Sequence, residues 1–216
     1  MMRINRGSVR LMFCLCFALF LCALIAALSW GLSKEARLER HWQKGERYLS
    51  ENRLREAAIE YKNLLQLDPK HARGHFKLGV AYMRLSMAKE AHAEFLKTIG
   101  LDPSMIEARN QLGYLLFLSG DLKGAREAAE AVLAKGGDNP VTHLLLCKIY
   151  TKENTLDQAI AEGRKAAEGD LKIDAYLHLA DVYIKKNEPQ QAEETLKLAV
   201  KYDPKALNAR FALAEF

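Results

Sequence analysis

Small and apolar residues return along this chain at a fixed interval. Ala57, Ala91, Ala125 and Ala159 stand 34 residues apart, and Ala192 follows after 33. The same step carries Leu78-Gly79 onto Leu112-Gly113, Tyr48 onto Tyr82, and Leu67-Asp68-Pro69 onto Leu101-Asp102-Pro103; Tyr202-Asp203-Pro204 closes the series. Inside one period the spacing is helical. His75, Leu78, Gly79 and Tyr82 follow one another at steps of three, one and three, which is one face of a helix, and Ala91, Phe95 and Thr98 lie on one face of another. Each period therefore predicts two antiparallel helices. Gly79 and Ala91 let two backbones approach, with Tyr82 and Phe95 filling the space on either side. Asp102-Pro103 ends one pair, because proline lacks the N–H and disfavours helix in the residue before it, and the aspartate is expected to cap the helix that follows.

A 34-residue helix-pair unit with Leu-Gly, Tyr, Ala, an aromatic and Pro at fixed offsets resembles the tetratricopeptide repeat (TPR) family. Aligned on the prolines, the repeats run 38–71, 72–105, 106–139, 140–172 and 173–206, with 207–216 opening a sixth, so the resemblance covers about four-fifths of the chain. It implies an all-α fold, a right-handed superhelical solenoid of antiparallel helix pairs over 34–216, and the apolar run in 1–33 adds one N-terminal transmembrane or signal helix before it. Repeats three and four depart from the pattern. Repeat three has Leu116 for the tyrosine, Ala129 for the aromatic and Gly136-Gly137-Asp138-Asn139-Pro140 at its end. Repeat four has Cys147 at the small position and Gly163 at the aromatic one, and is a residue short. A glycine inside a helix costs about 1 kcal/mol relative to alanine, so the solenoid is expected to be loosest at 163–172. Residues 207–216 begin a first helix in register without a polar capping helix, which favours a fragment of a longer array.

The first 33 residues differ in kind. Leu11 to Leu28 is an uncharged run of 18 residues preceded by Arg3, Arg6 and Arg10. At about 1.5 Å per helical residue it nearly matches a hydrocarbon core about 30 Å thick, and extension to residue 32 places Trp30 at the interface. The preferred reading is an uncleaved anchor over 11–32. A cleaved signal peptide is the alternative, because Ala27-Leu28-Ser29 has small residues where a peptidase inspects them. The expected location is a bacterial inner membrane, single-pass, with the repeats in the periplasm; the alternatives are the cytoplasmic side, which the basic residues from Lys34 to Arg47 favour, or secretion after cleavage.

Charge narrows the partners. Without Arg3, Arg6 and Arg10, the 32 basic side chains fall to 29, against 27 acidic ones that all lie from Glu35 onward. The repeats are nearly neutral, with signs alternating as in Lys34-Glu35-Ala36-Arg37-Leu38-Glu39-Arg40, which argues against nucleic acid. Three of four cysteines lie in the apolar run and Cys147 stands alone in the repeats, so no disulfide framework exists. No HExxH, CxxC, GxSxG, P-loop or GxGxxG is present. No cofactor, metal or small-molecule substrate is expected, and the chain reads as non-catalytic. His71 and His75 have a spacing that could share a metal, but His41, His75 and His143 occupy one repeat position and read as packing residues.

What remains is a binding surface. The resemblance implies that first helices line a concave face through the second, fifth, ninth and twelfth residues of each unit. The candidate groove residues are Trp42, Phe76, Val80, Met83, Tyr114, Phe117, Leu144, Leu177 and Ile184. Trp42, Glu46, Phe76 and Val80 replace the lysines and asparagines of the clamp with which chaperone-binding members hold a carboxyl terminus, so that role is not expected. The expected function is a membrane-tethered protein-interaction scaffold that binds a partner helix or peptide, resembling envelope repeat proteins of assembly, secretion or exopolysaccharide export. The alternative is an accessory subunit of an envelope enzyme complex, in cytochrome maturation or peptidoglycan synthesis, that presents substrate to a catalytic partner.

Overall fold

The computed structural model describes residues 34–216. The expected membrane segment 11–32 lies outside the described residues. Among those described, no helix is long and apolar enough to cross a membrane.

Every regular element among the described residues is a helix. α1 covers 34–50. It is followed by α2 (Leu54–Leu67), α3 (Ala72–Arg84), α4 (Ala88–Leu101), α5 (Ile106–Ser119) and α6 (Leu122–Leu133). The second half holds α7 (Pro140–Lys152), α8 (Leu156–Ala166), α9 (Lys172–Lys185), α10 (Pro189–Tyr202) and α11 (Leu207–Glu215). Odd-numbered helices are the first and even-numbered helices the second member of each pair.

The turn inside each pair is built on one left-handed residue. Asn52, Ser86, Asn154 and Asn187 have φ near 60°, and Gly120 has φ 86°. These are equivalent positions. Asparagine and glycine tolerate this conformation, and it lets the next amide reach back over the helix end, as Met87 N–H does to the Tyr82 carbonyl at 2.9 Å. The turns between pairs use another device. Asp68, Asp102 and Asp203 end the second helices, and their carboxylates accept from the amides of Lys70, Ser104 and Lys205 at 2.9–3.1 Å. These aspartates therefore stabilise the turn itself and do not cap the next helix, because the proline beside each places the second amide onward within reach of the carboxylate. His71 caps α3 instead, its Nδ1 accepting from Gly74 N–H at 2.9 Å.

Packing inside the first two pairs rests on a glycine opposite a ring. A Cβ added to Gly45 would lie 2.6 Å from the Tyr61 ring, and one added to Gly79 would lie 2.7 Å from the Phe95 ring. Both rings are fully buried. The glycine thus makes room for the aromatic of the second helix rather than for its backbone. Repeat four inverts the pair: Cys147 occupies the small site and Gly163 the aromatic one. A Cβ on Gly163 would meet Leu179 Cδ1 at 2.9 Å and Cys147 Sγ at 3.1 Å. Leu179 of the next repeat fills the space the missing ring leaves, so packing at Gly163 is tight where the sequence suggested a loose joint.

Curvature follows from which helices touch. α3 contacts α5, α5 contacts α7, α7 contacts α9 and α9 contacts α11, while no comparable contact joins successive second helices among the described residues. First helices lie closer together than second helices. The stack bends toward them, and they line its inner face.

Candidate functional site

The inner face carries three cavities in series. The first, of about 490 Å³, is floored by Trp42 and Phe76 and flanked by Arg73, Lys77, Met105 and Glu107. Trp42 stands edge-on to Tyr61 at 6.0 Å and faces the His71 ring at 5.7 Å. Lys77 lies 5.9 Å from the Trp42 ring and donates to Glu46 at 2.8 Å. The other Glu46 oxygen accepts from Tyr61 Oη at 2.5 Å. Burial, reinforced by that carboxylate, pushes the Tyr61 phenol above its ordinary range.

The middle cavity, of about 320 Å³, lies between α5 and α7 and brings Met83, Tyr114, Val141, Leu144 and Lys148 together. Tyr114 stacks on Phe117 at 6.5 Å and carries the Lys148 ammonium 5.7 Å from its ring. Beneath it, Thr142 Oγ1 donates to Asn110 Oδ1 at 2.9 Å, tying the two helices through buried polar groups. The third cavity, of about 450 Å³, is lined by Leu177, Asp181, Ile184, Ala212 and Phe216 among others.

Six of the nine residues named from sequence line these cavities: Tyr114 and Ile184 are exposed, Leu177 is half-buried, and Trp42, Phe76 and Met83 are half-buried against the core. Leu144 also borders the middle one but is buried, packed with Ala166, Ala167 and Ala175, so it is a wall of the core. Val80 and Phe117 are partly buried against the core below the groove. The sixth positions went unread. Lys77, Gln111 and Leu145 follow directly on the fifth; at 3.6 residues per turn the two positions diverge by about 100°, flanking one inward direction, and the sixth residue also borders the first or middle cavity.

The histidines are more than packing residues. His41 meets Glu60 at 2.6 Å, His75 meets Glu94 at 2.5 Å and His143 meets Glu162 at 2.5 Å, each across its own helix pair. Sequence reading missed these because the partners stand 19 residues apart on two different helices. The remaining valences are filled: His75 Nε2 bonds the Pro69 carbonyl at 3.0 Å, His143 Nε2 contacts Asp138, and Glu94 and Glu162 accept from Lys97 and Lys165. Repeats three and five place Arg109 with Ala128 and Tyr176 with Thr195 at these positions. Burial holds the His178 imidazole on α9 below its ordinary range, and Lys148 adds to that effect.

Models of the TPR repeat match residues 45–86, and models of the tetratricopeptide repeat match 88–140 and 173–206. No curated protein matches the chain in sequence. Among solved structures, MamA 41-end from Desulfovibrio magneticus RS-1 superposes with a TM-score of 0.68 and 21% identity, covering 79% of this chain and 97% of that one. PilF from Pseudomonas aeruginosa gives 0.69 and 19%, covering 85% and 90%. YrrB, described as a TPR protein with an unusual peptide-binding site, gives 0.58 and 24%, covering 78% and 87%. At these identities the likeness is one of fold. The repeat matches and the helix pairs stacked through their first helices agree, and the chain belongs to the tetratricopeptide repeat family.

Proposed function

We propose that this protein is a non-catalytic scaffold, tethered to a bacterial inner membrane through residues 11–32 with its repeats in the periplasm, that binds a helix or peptide of a partner in its inner groove. Its setting would be envelope assembly or exopolysaccharide export. The observation that carries the reading is the series of cavities along the inner face, which Trp42, Phe76, Met83, Tyr114, Leu177 and Ile184 line with apolar side chains. Aromatic and aliphatic anchors in such a row suit an amphipathic helix or an extended chain. YrrB, of like fold, is described as binding a peptide. The uncharged run from Leu11 to Leu28 behind three arginines supports the tether.

Site-specific photo-crosslinking in cells tests the groove, with the reactive group placed at Gln111 on the inner face and at Ile59, which is exposed on α2. A partner captured from the inner position and not from Ile59 supports the proposal; capture from Ile59 alone sinks it. Membrane fractionation with sequencing of the mature amino terminus tests the tether. A soluble protein beginning near Trp30 replaces the anchor by a cleaved signal.

A further inference from the structure

We infer that the middle cavity of the groove selects a partner peptide in which a bulky apolar side chain stands beside a single carboxylate. The inference rests on the groove reading above and assigns its chemistry. The walls supplied by Met83, Tyr114, Val141, Leu144 and Leu145 are apolar, and about 320 Å³ suits one side chain of the leucine or phenylalanine class. At the same cavity stands Lys148, and its surroundings set it apart from the other cations of the inner face. Lys77 is held by Glu46 at 2.8 Å, Arg73 at the first cavity acts on the Asp102 carboxylate, and Arg84 donates to Asn52 Oδ1 at 2.8 Å and to the Leu49 carbonyl at 3.2 Å. Lys148 rests over the Tyr114 ring at 5.7 Å and makes no ion pair among the described residues. A half-buried lysine beside an aromatic ring still gains from an anion, and a carboxylate is the strongest partner a polypeptide can offer it.

Charge on the neighbouring first helices limits that anion to one place. Glu107 on α5, and Asp174 and Asp181 on α9, are exposed and without ion pairs among the described residues. Lys148, Asp181 and Lys185 all act on His178 of α9. Along the inner face Lys148 thus stands between the Glu107 carboxylate of the first cavity and the Asp181 carboxylate of the third. Packed helices stand about 8–10 Å apart and an extended chain rises about 3.3 Å per residue, so charges on adjacent helices meet partner residues about three positions apart. The fitting segment carries its apolar anchor and carboxylate together, with basic residues about three positions to either side. A uniformly acidic segment would be repelled by the flanking carboxylates.

Panning a displayed library of random peptides on the full chain and on Lys148→Met, Lys148→Glu and Tyr114→Ala, each first shown to keep wild-type helical content and melting, tests this. The expected selection from the wild type pairs Leu, Ile or Phe with a neighbouring Asp or Glu. Lys148→Met should weaken those peptides about tenfold, and Lys148→Glu should turn the selection toward Lys or Arg at the same place. Peptides that are lost on Tyr114→Ala yet show no acidic preference, or are unchanged by Lys148→Glu, overturn this specificity while the groove stands. No enrichment at all, or peptides indifferent to Tyr114→Ala, overturns the groove and the specificity with it.

Discussion

Gly79 stands where the ring of Phe95 needs room: a Cβ there would lie 2.7 Å from Cε1 and 2.9 Å from Cδ1. The ring is fully buried and meets Phe76 from the groove side at 6.1 Å, so it has little freedom to retreat. One methyl at residue 79 must displace the second helix or force the ring off its rotamer.

Gly79→Ala should therefore destabilise the fold by about 1–3 kcal/mol despite alanine's better helix propensity. The clash should be relieved in Gly79→Ala combined with Phe95→Leu, which takes the ring away. Denaturant unfolding of the two single variants and the double variant measures the coupling. Additive losses would show that the ring and the glycine do not share one space.

The His75–Glu94 link joins α3 to α4 with both side chains about nine-tenths buried. Removing either partner leaves a buried polar group short of a bond, at a cost of about 1–3 kcal/mol. His75→Leu and Glu94→Leu should each lower the unfolding midpoint. The double variant should lose less than the sum, since no orphaned charge remains. Stability measurements on the cycle decide it, and a coupling near zero would reduce the pair to a bystander contact.

Ser86 holds the left-handed turn position that Asn52, Gly120, Asn154 and Asn187 hold elsewhere. A residue with a Cβ and no favourable local hydrogen bond pays about 1 kcal/mol there. Ser86→Gly should raise the melting temperature by an amount equivalent to about 0.5–1 kcal/mol, and Asn187→Ala should lower it by a similar amount. Thermal melts followed by circular dichroism provide the check.

Burial pushes the Cys147 thiol up to about 11 from an ordinary 9.0, and the side chain is fully enclosed. Between those values an unfolded chain has released a proton that the folded one retains. Stability should thus be intact below about pH 9 and decline as pH rises toward 11, with Tyr61, whose phenol is also shifted upward, acting in the same direction at higher pH. Denaturant midpoints measured across pH 8 to 11 would fall less in Cys147→Ala than in the wild type. Alkylation at neutral pH, mapped by peptide mass, should spare Cys147 until the protein is unfolded.

Groove and core variants should separate in two measurements. Tyr114 keeps 37% of its surface exposed, so Tyr114→Ala should weaken partner binding by about 1–3 kcal/mol with little change in melting. Phe76 touches both the first cavity and Phe95, so Phe76→Ala should lower affinity and stability together. Gly79→Leu should damage the fold first. Equal loss of melting temperature in Tyr114→Ala and Gly79→Leu, with affinity per folded molecule unchanged, would place Tyr114 in the core.

The 34-residue register and the helix pairs were legible from the sequence because each depends on contacts between neighbours or on a period of 3.6, and both leave a one-dimensional trace. Residues such as Trp42, Met83 and Ile184 were assigned to an inner row by the resemblance to the repeat family, because counting along separate helices cannot say which faces meet. Tertiary structure decided what crosses between helices. The compensation of Gly163 by Leu179 joins two repeats, and the pairing of His75 with Glu94 joins two helices 19 residues apart. The aspartates at the turns were read as helix caps because spacing cannot tell which amide a carboxylate will reach. Lys148 appears in sequence as one more solvated charge in a nearly neutral chain. Only the juxtaposition of α5 and α7 sets it over Tyr114 and away from a carboxylate, because Coulombic pairing depends on distances that the register of a repeat does not encode.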